Sequence, residues 1–311
     1  MAEGWLVVSV MLDNAFHVGD PKRLFALATL DRTLCESSRV LADNHPDKTV
    51  FVRAAILRLA HTLGEQEGNI SCNLAATHGD LAALQACRSL GKPWGKRTCK
   101  IAAAGGHLAV LQWARENGCP WDETVMWRAA AKGGHLAVLQ WARENGCPWD
   151  SWTCSFAASR GHLAVLKWAH ENGCPWDEST CAEAAQSGHL AVLQWVRWNG
   201  CPWDDLTCTF AAGGGHLDVL RWARGNGCLW DEWTCSAAAT GGHLVALQWA
   251  HENGCPWNEW TCIAAATGGH LAVLRWARGN GCPWGERTCR AARLNGHASV
   301  LRWARDNGCP E

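Results

Sequence analysis

The sequence of 311 residues has no Tyr, only five Phe and three Met, yet it contains 22 Trp. Aromatic content of almost a single type is not expected of an irregular globular core, and it indicates that one short segment has been copied many times. Neither sign of charge prevails, because 28 Lys and Arg balance 29 Asp and Glu, so no overall field would attract nucleic acid or anionic lipid. The hydrophobic share of 48% is enough to bury a core, which excludes a wholly disordered chain.

Long apolar runs are also lacking. No stretch reaches the roughly 20 apolar residues that a membrane helix requires. The short apolar run at 5–12 is preceded by Glu3 rather than by Lys or Arg, which argues against a secretory signal. We therefore expect an intracellular, cytoplasmic protein whose 18 Cys remain reduced thiols. Import into an organelle stays open, because transit peptides vary widely.

A repeated segment, Gly-His-Leu-Ala-Val-Leu-Gln-Trp-Ala-Arg-Glu-Asn-Gly-Cys-Pro-Trp-Asp, dominates the chain. Its histidines follow one another at a spacing of 28 residues once and 27 thereafter, and they are His107, His135, His162, His189, His216, His243, His270 and His297. Nine units of about 27 residues tile 71–311, and 51–70 is interpreted as a degenerate half-repeat.

The sequence of each unit predicts two helices. Thr153 is the predicted N-cap of the first, and Gly161 its left-handed end. The second runs over 162–172 with apolar residues on one face, and Gly173 ends it before a Cys-Pro-Trp-Asp turn. Sustained strand alternation is not found. The sequence therefore predicts an all-α solenoid of helix-turn-helix repeats.

This pattern resembles the ankyrin repeat over about 240 of the 311 residues. The resemblance is carried by a Thr-capped first helix (Thr234), a Gly-His-Leu start to the second (242–244) and an Asn-Gly exit (253–254). The units are shorter than the usual length of about 33 residues, because the finger-like hairpin is reduced to a turn. Such short, Trp- and Cys-containing arrays are familiar in algae, oomycetes and giant viruses. The resemblance implies shortened hairpin loops and a non-enzymatic protein that binds another protein, without a cofactor, through a concave surface lined by the first helices.

Histidine and cysteine are the candidate metal ligands. Equivalent His of neighbouring units are expected roughly 8–10 Å apart, too far to share an ion that lies about 2 Å from each ligand. We expect these His to bond local backbone and link adjacent loops. The Cys form a C-x6-C series, as in Cys174 and Cys181, unlike the closer pairs of zinc sites. Buried thiols between repeats are favoured, with metal binding or oxidation left open.

Tryptophan falls into three sets. Eight lie on the second helix, where the ankyrin family places Leu, and are predicted core residues. Eight follow the turn and are predicted to pack across neighbouring units as a spine. The third set is irregular, because the same slot holds Trp in some units and Ser, Leu or Arg in others. A position that the scaffold does not fix is a better candidate for recognition, although drift at an exposed site explains it equally well.

The candidate partner-contact residues come from this irregular slot and from the second and third positions after the predicted capping Thr, which vary most between units. They are Lys100, Trp152, Phe156, Glu183, Leu206, Phe210, Trp233, Trp260 and Arg287. No catalytic, cofactor-binding or metal-binding residue is predicted, because phosphate-loop, zinc-protease and nucleophile-elbow motifs are not found.

Residues 1–50 do not repeat. They are interpreted as a helical cap for the first repeat, which solenoids need for solubility. Residues 20–32 also loosely resemble the middle of an F-box, although the leading Leu-Pro of that motif is absent. Two alternatives to simple protein binding therefore stay open. One is a substrate-receptor adaptor of a ubiquitin ligase, and the other is a fixed structural subunit of a larger complex.

Overall fold

A computed structural model describes residues 70–310, and this part of the chain is all-helical, with 18 helices and no strand. The helices alternate in pairs. The first helices of the pairs are α1 (Ile70–His78), α3 (Lys96–Ala104), α5 (Glu123–Gly133), α7 (Ser151–Ala158), α9 (Glu178–Gln186), α11 (Asp205–Gly213), α13 (Glu232–Thr240), α15 (Glu259–Thr267) and α17 (Glu286–Leu294). The second helices are α2 (Leu81–Ser89), α4 (Leu108–Glu116), α6 (Leu136–Glu144), α8 (Leu163–Glu171), α10 (Leu190–Trp198), α12 (Leu217–Gly225), α14 (Leu244–Glu252), α16 (Leu271–Gly279) and α18 (Ala298–Asp306). The predicted all-α helix-turn-helix array is confirmed.

Contacts divide the described chain into two compact units. Residues 70–75 and 80–93 belong to one unit, and 76–79 and 94–310 belong to the other. In the second unit each first helix packs against its own second helix and against the first helices of the neighbouring repeats. The predicted N-terminal segment 1–50 and the predicted half-repeat 51–70 lie outside the described residues, apart from Ile70 itself.

The start of the first helices differs from the prediction. Thr153 is not an N-cap, because α7 already begins at Ser151. The equivalent region of α11 shows the reason. There the Asp204 carboxylate accepts a hydrogen bond from the Leu206 backbone N–H at 3.1 Å, so an acidic residue of the turn caps the helix. Thr207, the repeat equivalent of Thr153, is fully buried beneath this first turn.

The helix ends agree with the prediction. Gly161 and Gly173 have φ of +74° and +78°, the left-handed conformation that stops a helix and that glycine adopts without steric cost. After α8 the Asn172 side-chain amide donates to the Trp168 carbonyl at 2.8 Å, which satisfies one of the carbonyls left free at a helix end. Together these residues separate the two helices of one repeat from each other and from the next repeat.

The core between the two layers of helices consists of small and aliphatic side chains. In α12 Val219, Leu220 and Ala223 are completely buried. The prediction that the second-helix Trp are core residues is wrong, because these Trp are only half-buried. Trp222, for example, packs edge-on against the turn residue Trp203 with the ring centroids 5.9 Å apart. A bulky indole fits at the margin of this narrow core, whose interior the smaller side chains already fill.

The predicted spine of turn Trp is confirmed. Each turn Trp contacts a second-helix Trp, as Trp230 does with Trp249 at 5.7 Å. A cationic or imidazole side chain from the preceding helix covers the other face of the turn Trp. The Arg224 guanidinium lies 4.5 Å from the Trp230 ring centre, and the His251 ring stacks on Trp257 at 3.7 Å. The aromatic spine is thus part of the scaffold.

The histidines and cysteines have the scaffold roles that were expected. The imidazole of His270 lies over Gly242 of the preceding repeat, and its Nε2 is 2.9 Å from the Thr240 carbonyl oxygen. All 17 Cys of the described residues are buried, and none of these 17 forms a disulfide. In the turn before α13 the Cys228 thiol donates to the Asp204 carbonyl at 3.2 Å, which ties the two ends of a repeat together. No group of three or more potential metal ligands occurs among residues 70–310.

Candidate functional site

The irregular slot forms an exposed row along the first helices. It is the second residue of each helix, and we call Trp152, Leu206, Trp233, Trp260 and Arg287 the outer row. Trp233 and Trp260 are 53% and 41% exposed, although an indole of this size is usually well covered. The predicted exposure of this slot is therefore observed, and the scaffold does not need these side chains for its core.

A second row lies one turn further along each first helix. We call the half-buried residues Phe156, Glu183 and Phe210, with their equivalents Ala237 and Ala264, the inner row. These five side chains occupy one repeat position on successive first helices. Three successive repeats carry a large side chain there, and the next two carry only a methyl group.

The residue just before the inner row is almost entirely buried in the central repeats, contrary to expectation. Thr209 is buried between helices, and its hydroxyl lies 3.1 Å from that of Thr234 in the next repeat. Ser155 is buried in the same way. This position therefore varies because it packs between first helices. Lys100, which holds the same position in α3, is exposed.

The outer and inner rows enclose a groove across three successive first helices, with a cavity volume of about 290 Å³. Its lining consists of Thr209 from α11, Trp233, Ser236, Ala237 and Thr240 from α13, and Trp260, Ile263, Ala264 and Thr267 from α15. In α13 and α15 these residues recur at i, i+3, i+4 and i+7, which places them on one helical face. We call this feature the α13–α15 groove.

The groove is open because of the two alanines. Ala237 and Ala264 line it at the repeat position that Phe156 and Phe210 occupy on their own helices. Ala237 and Ala264 are not among the predicted contact residues, because the prediction selected large or charged side chains at variable repeat positions. The signal in the sequence is the change from Phe or Glu to Ala between otherwise similar repeats.

The structure brings three of the predicted contact residues together at one edge of this groove. The ring centroids of Trp233 and Trp260 are 6.0 Å apart with an interplanar angle of 33°. The Arg287 guanidinium lies 5.7 Å from the Trp260 ring centre and 3.5 Å from the Glu259 carboxylate. These three side chains form a continuous aromatic and cationic ridge along α13, α15 and α17.

The other predicted residues lie elsewhere on the first helices. Trp152 and Phe156 contact each other on α7, with ring centroids 6.0 Å apart, and form a separate aromatic pair. Leu206 is exposed on α11, the helix that also contributes Thr209 to the groove, and Glu183 lies on α9. Lys100 is on α3, which is separated from the groove by the first helices α5, α7 and α9.

Four carboxylates, Asp204, Asp205, Asp231 and Glu232, stand at the starts of α11 and α13, beside the outer row. We call them the acidic rim. Burial raises the pKa of Asp204, and the neighbouring charge of Asp205 raises it further. Burial likewise raises the pKa of Asp231, with Asp205 and Glu232 adding to the effect. Within the described residues no cationic side chain lies within 4.0 Å of these four carboxylates.

Comparison with known proteins gives only a limited likeness to solved structures. No family model matches the sequence, and no curated protein matches it either. Among solved structures, the human ASB11 ankyrin repeat domain is similar over 57% of this chain and 96% of its own, with 17% sequence identity and a TM-score of 0.44. Likeness at this level carries no argument about partners, so the functional argument rests on the residues of this chain. No helix of residues 70–310 is long and apolar enough to cross a membrane.

Proposed function

We propose that this protein is a non-enzymatic interaction scaffold that binds another protein through its first-helix face. The observation that carries the proposal is the α13–α15 groove, which combines an apolar floor with two exposed indoles. Exposed apolar surface that is gathered into one concave feature, with polar side chains around it, is typical of interaction sites. Trp and Arg, both present on its ridge, are the residues that most often dominate binding energy.

The exposed indole surface is large enough to matter. A Trp side chain buries up to about 250 Å² when it is covered, so roughly half of that area remains available on Trp233. At about 25 cal/mol per Å², covering it would contribute up to about 3 kcal/mol to binding. Trp260 offers a similar but smaller share. The groove therefore has the properties of a central contact region.

The remaining predicted residues extend this surface. Trp152 and Phe156 form a second aromatic contact on α7, Glu183 lies on α9 between that contact and the groove, and Phe210 lies on α11, which contributes to the groove. Leu206 is the neighbour of Trp233 in the outer row. We infer that a partner spanning several repeats contacts these residues in addition to the groove, with Lys100 and Arg287 at the margins of the surface.

The proposal is tested by replacing Phe156, Phe210, Trp233 and Trp260 together by Ala. Partners recovered by affinity purification and mass spectrometry should be lost, while the far-ultraviolet circular dichroism stays unchanged. The matched control is Trp198→Ala, because Trp198 is 74% exposed but lies at the end of a second helix. Unchanged recovery with the fourfold variant, or equal loss with the control, would refute the assignment of this surface.

Two alternatives to this proposed function remain as hypotheses. The first depends on residues outside the described range, and the second depends on the other subunits of a complex. A ubiquitin-ligase adaptor would require residues 1–50 and would co-purify with a Skp1-like protein until that segment is deleted. A structural subunit would remain bound within a larger complex. We favour an intracellular, cytoplasmic location, because the 17 described cysteines form no disulfide, as is usual in a reducing compartment.

A further inference from the structure

We propose that the α13–α15 groove binds an extended segment of the partner in which arginine side chains flank apolar ones. This inference rests on the proposed function and names the chemistry of the partner. The apolar side chains would enter the groove over Ala237 and Ala264. The arginines would lie against the exposed indoles and pair with the acidic rim.

The chain itself shows how this ridge accommodates a cation. The guanidinium of Arg287 lies over the Trp260 ring and pairs with the Glu259 carboxylate, so one cation contacts an indole and a carboxylate together. A planar guanidinium is well suited to this arrangement, because it stacks on aromatic faces while its N–H groups donate to a carboxylate. The arrangement is internal at α17 and requires no partner there.

The preceding repeat has the carboxylate and the indole, Glu232 and Trp233, but not the cation, and the repeat before it has the carboxylate Asp205 with Leu206 in place of the indole. Glu232 and Asp205 are the repeat equivalents of Glu259, and the positions equivalent to Arg287 are taken by Trp260 and Trp233. Within residues 70–310 neither Glu232 nor Asp205 has an ion-pair partner. A cation supplied from outside would complete the arrangement at Glu232 and Trp233, and it would provide Asp205 with an ion-pair partner.

The local electrostatics favour a cation beside the acidic rim, on the α11 and α13 side of the groove. Asp204 and Asp231 have raised pKa values, which means that their charged forms are destabilised. A nearby positive charge would stabilise these charged forms. At the other end α17 presents the exposed Arg290 and Arg293. Cationic side chains are therefore expected over α11 and α13, and a polyanion such as nucleic acid is disfavoured at the acidic rim.

The spacing of the repeats favours an extended segment with cations three residues apart. Neighbouring helices pack roughly 8–10 Å apart, so successive rim positions are separated by about one such step. In the polyproline II form of an extended chain there are three residues per turn, so side chains three residues apart share one face and lie about 9 Å apart, which matches one such step. A pair of arginines separated by two apolar residues would thus reach Asp205 and Glu232 together.

The test uses fluorescein-labelled peptides that contain the run Arg-Leu-Val-Arg between flexible Gly-Ser ends. In matched peptides both arginines are replaced by citrulline, which keeps the shape but is uncharged, or by Glu. Fluorescence anisotropy with the full chain should show at least tenfold tighter binding of the arginine peptide than of either counterpart. The affinity should fall as salt is raised, because the rim carboxylates are only half-buried.

Protein variants then locate the interaction. The double variant Asp205→Asn and Glu232→Gln should weaken the arginine peptide at least tenfold and leave the citrulline peptide unchanged. Glu123→Gln is the matched control, since Glu123 begins the first helix α5 far from the groove. Trp233→Ala should weaken every peptide that binds. Circular dichroism confirms that each variant is folded.

Each contrary outcome has a definite meaning. If no arginine peptide binds more tightly than its citrulline counterpart, the inference is overturned, whereas the proposed function is judged separately by the fourfold Ala variant. If binding needs Trp233 but not the acidic rim, the groove stands and the cationic partner does not. A dimer of this chain in sedimentation that Trp233→Ala dissociates would also overturn the inference, because a second copy would then be the occupant.

Discussion

The buried threonine of each first helix offers a test of how these helices begin. Thr207 is fully buried, and its hydroxyl has no hydrogen-bond partner among the described residues, whereas Asp204 makes the capping bond. A buried hydroxyl without a partner costs about 1–3 kcal/mol. Replacing Thr207 by Val removes the hydroxyl and keeps the shape. We therefore expect Thr207→Val to stabilise the region by about 1 kcal/mol.

The opposite result is expected if Thr207 caps the helix, as the sequence alone suggests. Loss of an N-cap costs typically about 1 kcal/mol, and we expect that loss from Asp204→Ala instead. Hydrogen exchange of the α11 amides measures the local effect directly, because repeat arrays can open in parts. A change of about 1 kcal/mol corresponds to roughly fivefold in protection. Faster exchange in Thr207→Val would refute the structural interpretation, and Asp204→Asn, which keeps a capping oxygen, serves as the control.

Three further predictions concern the scaffold. Gly242→Ala should lower the free energy of unfolding, measured by urea denaturation, by more than about 1 kcal/mol, because Gly242 has φ of +75° and an added Cβ would lie 2.5 Å from the His270 ring. Gly279→Ala is the control and should not destabilise the fold, because nothing lies near the added Cβ. Burial lowers the pKa of His189 below its ordinary 6.5, so the unfolded chain binds the proton more readily than the folded chain does. The contribution of His189 to the free energy of unfolding is therefore present above about pH 6.5 and is lost on acidification. Urea denaturation at several pH values should show a smaller loss for His189→Gln. Burial raises the pKa of Cys147 to about 11, so this thiol should react with a disulfide reagent only after unfolding, and rapid labelling of the native protein would contradict its burial.

Much of the fold can be predicted from the sequence because the repeat presents the same local signals many times. Glycines at helix ends, such as Gly161 and Gly173, leave few conformations open, and the periodic apolar face fixes which side is buried. Helix starts are harder to predict. Both Thr and Asp favour N-caps, and only the three-dimensional structure shows that Asp204 caps and Thr207 is buried.

The site is only partly predictable. The positions where Trp alternates with other residue types correctly indicate an exposed row, since a position outside the core can vary between repeats. The groove itself depends on the absence of side chains at Ala237 and Ala264, and a void between helices is visible only when the neighbours are in place. Similarly, the second-helix Trp resemble core residues by their spacing, yet they lie at the margin because the smaller side chains already fill the interior.

The central claim is that the open groove holds the partner, and filling the groove tests it most directly. Ala237→Phe with Ala264→Phe introduces the side chain that Phe210 already carries at the equivalent, half-buried position, so the fold should be kept. Ala272→Phe, on the exposed side of α16 in the same repeat as Ala264, is the control. In quantitative affinity purification, we predict that a protein recovered by the natural chain and by the control is lost from the double variant. Equal recovery of the same proteins by all three, with unchanged circular dichroism, would contradict the account.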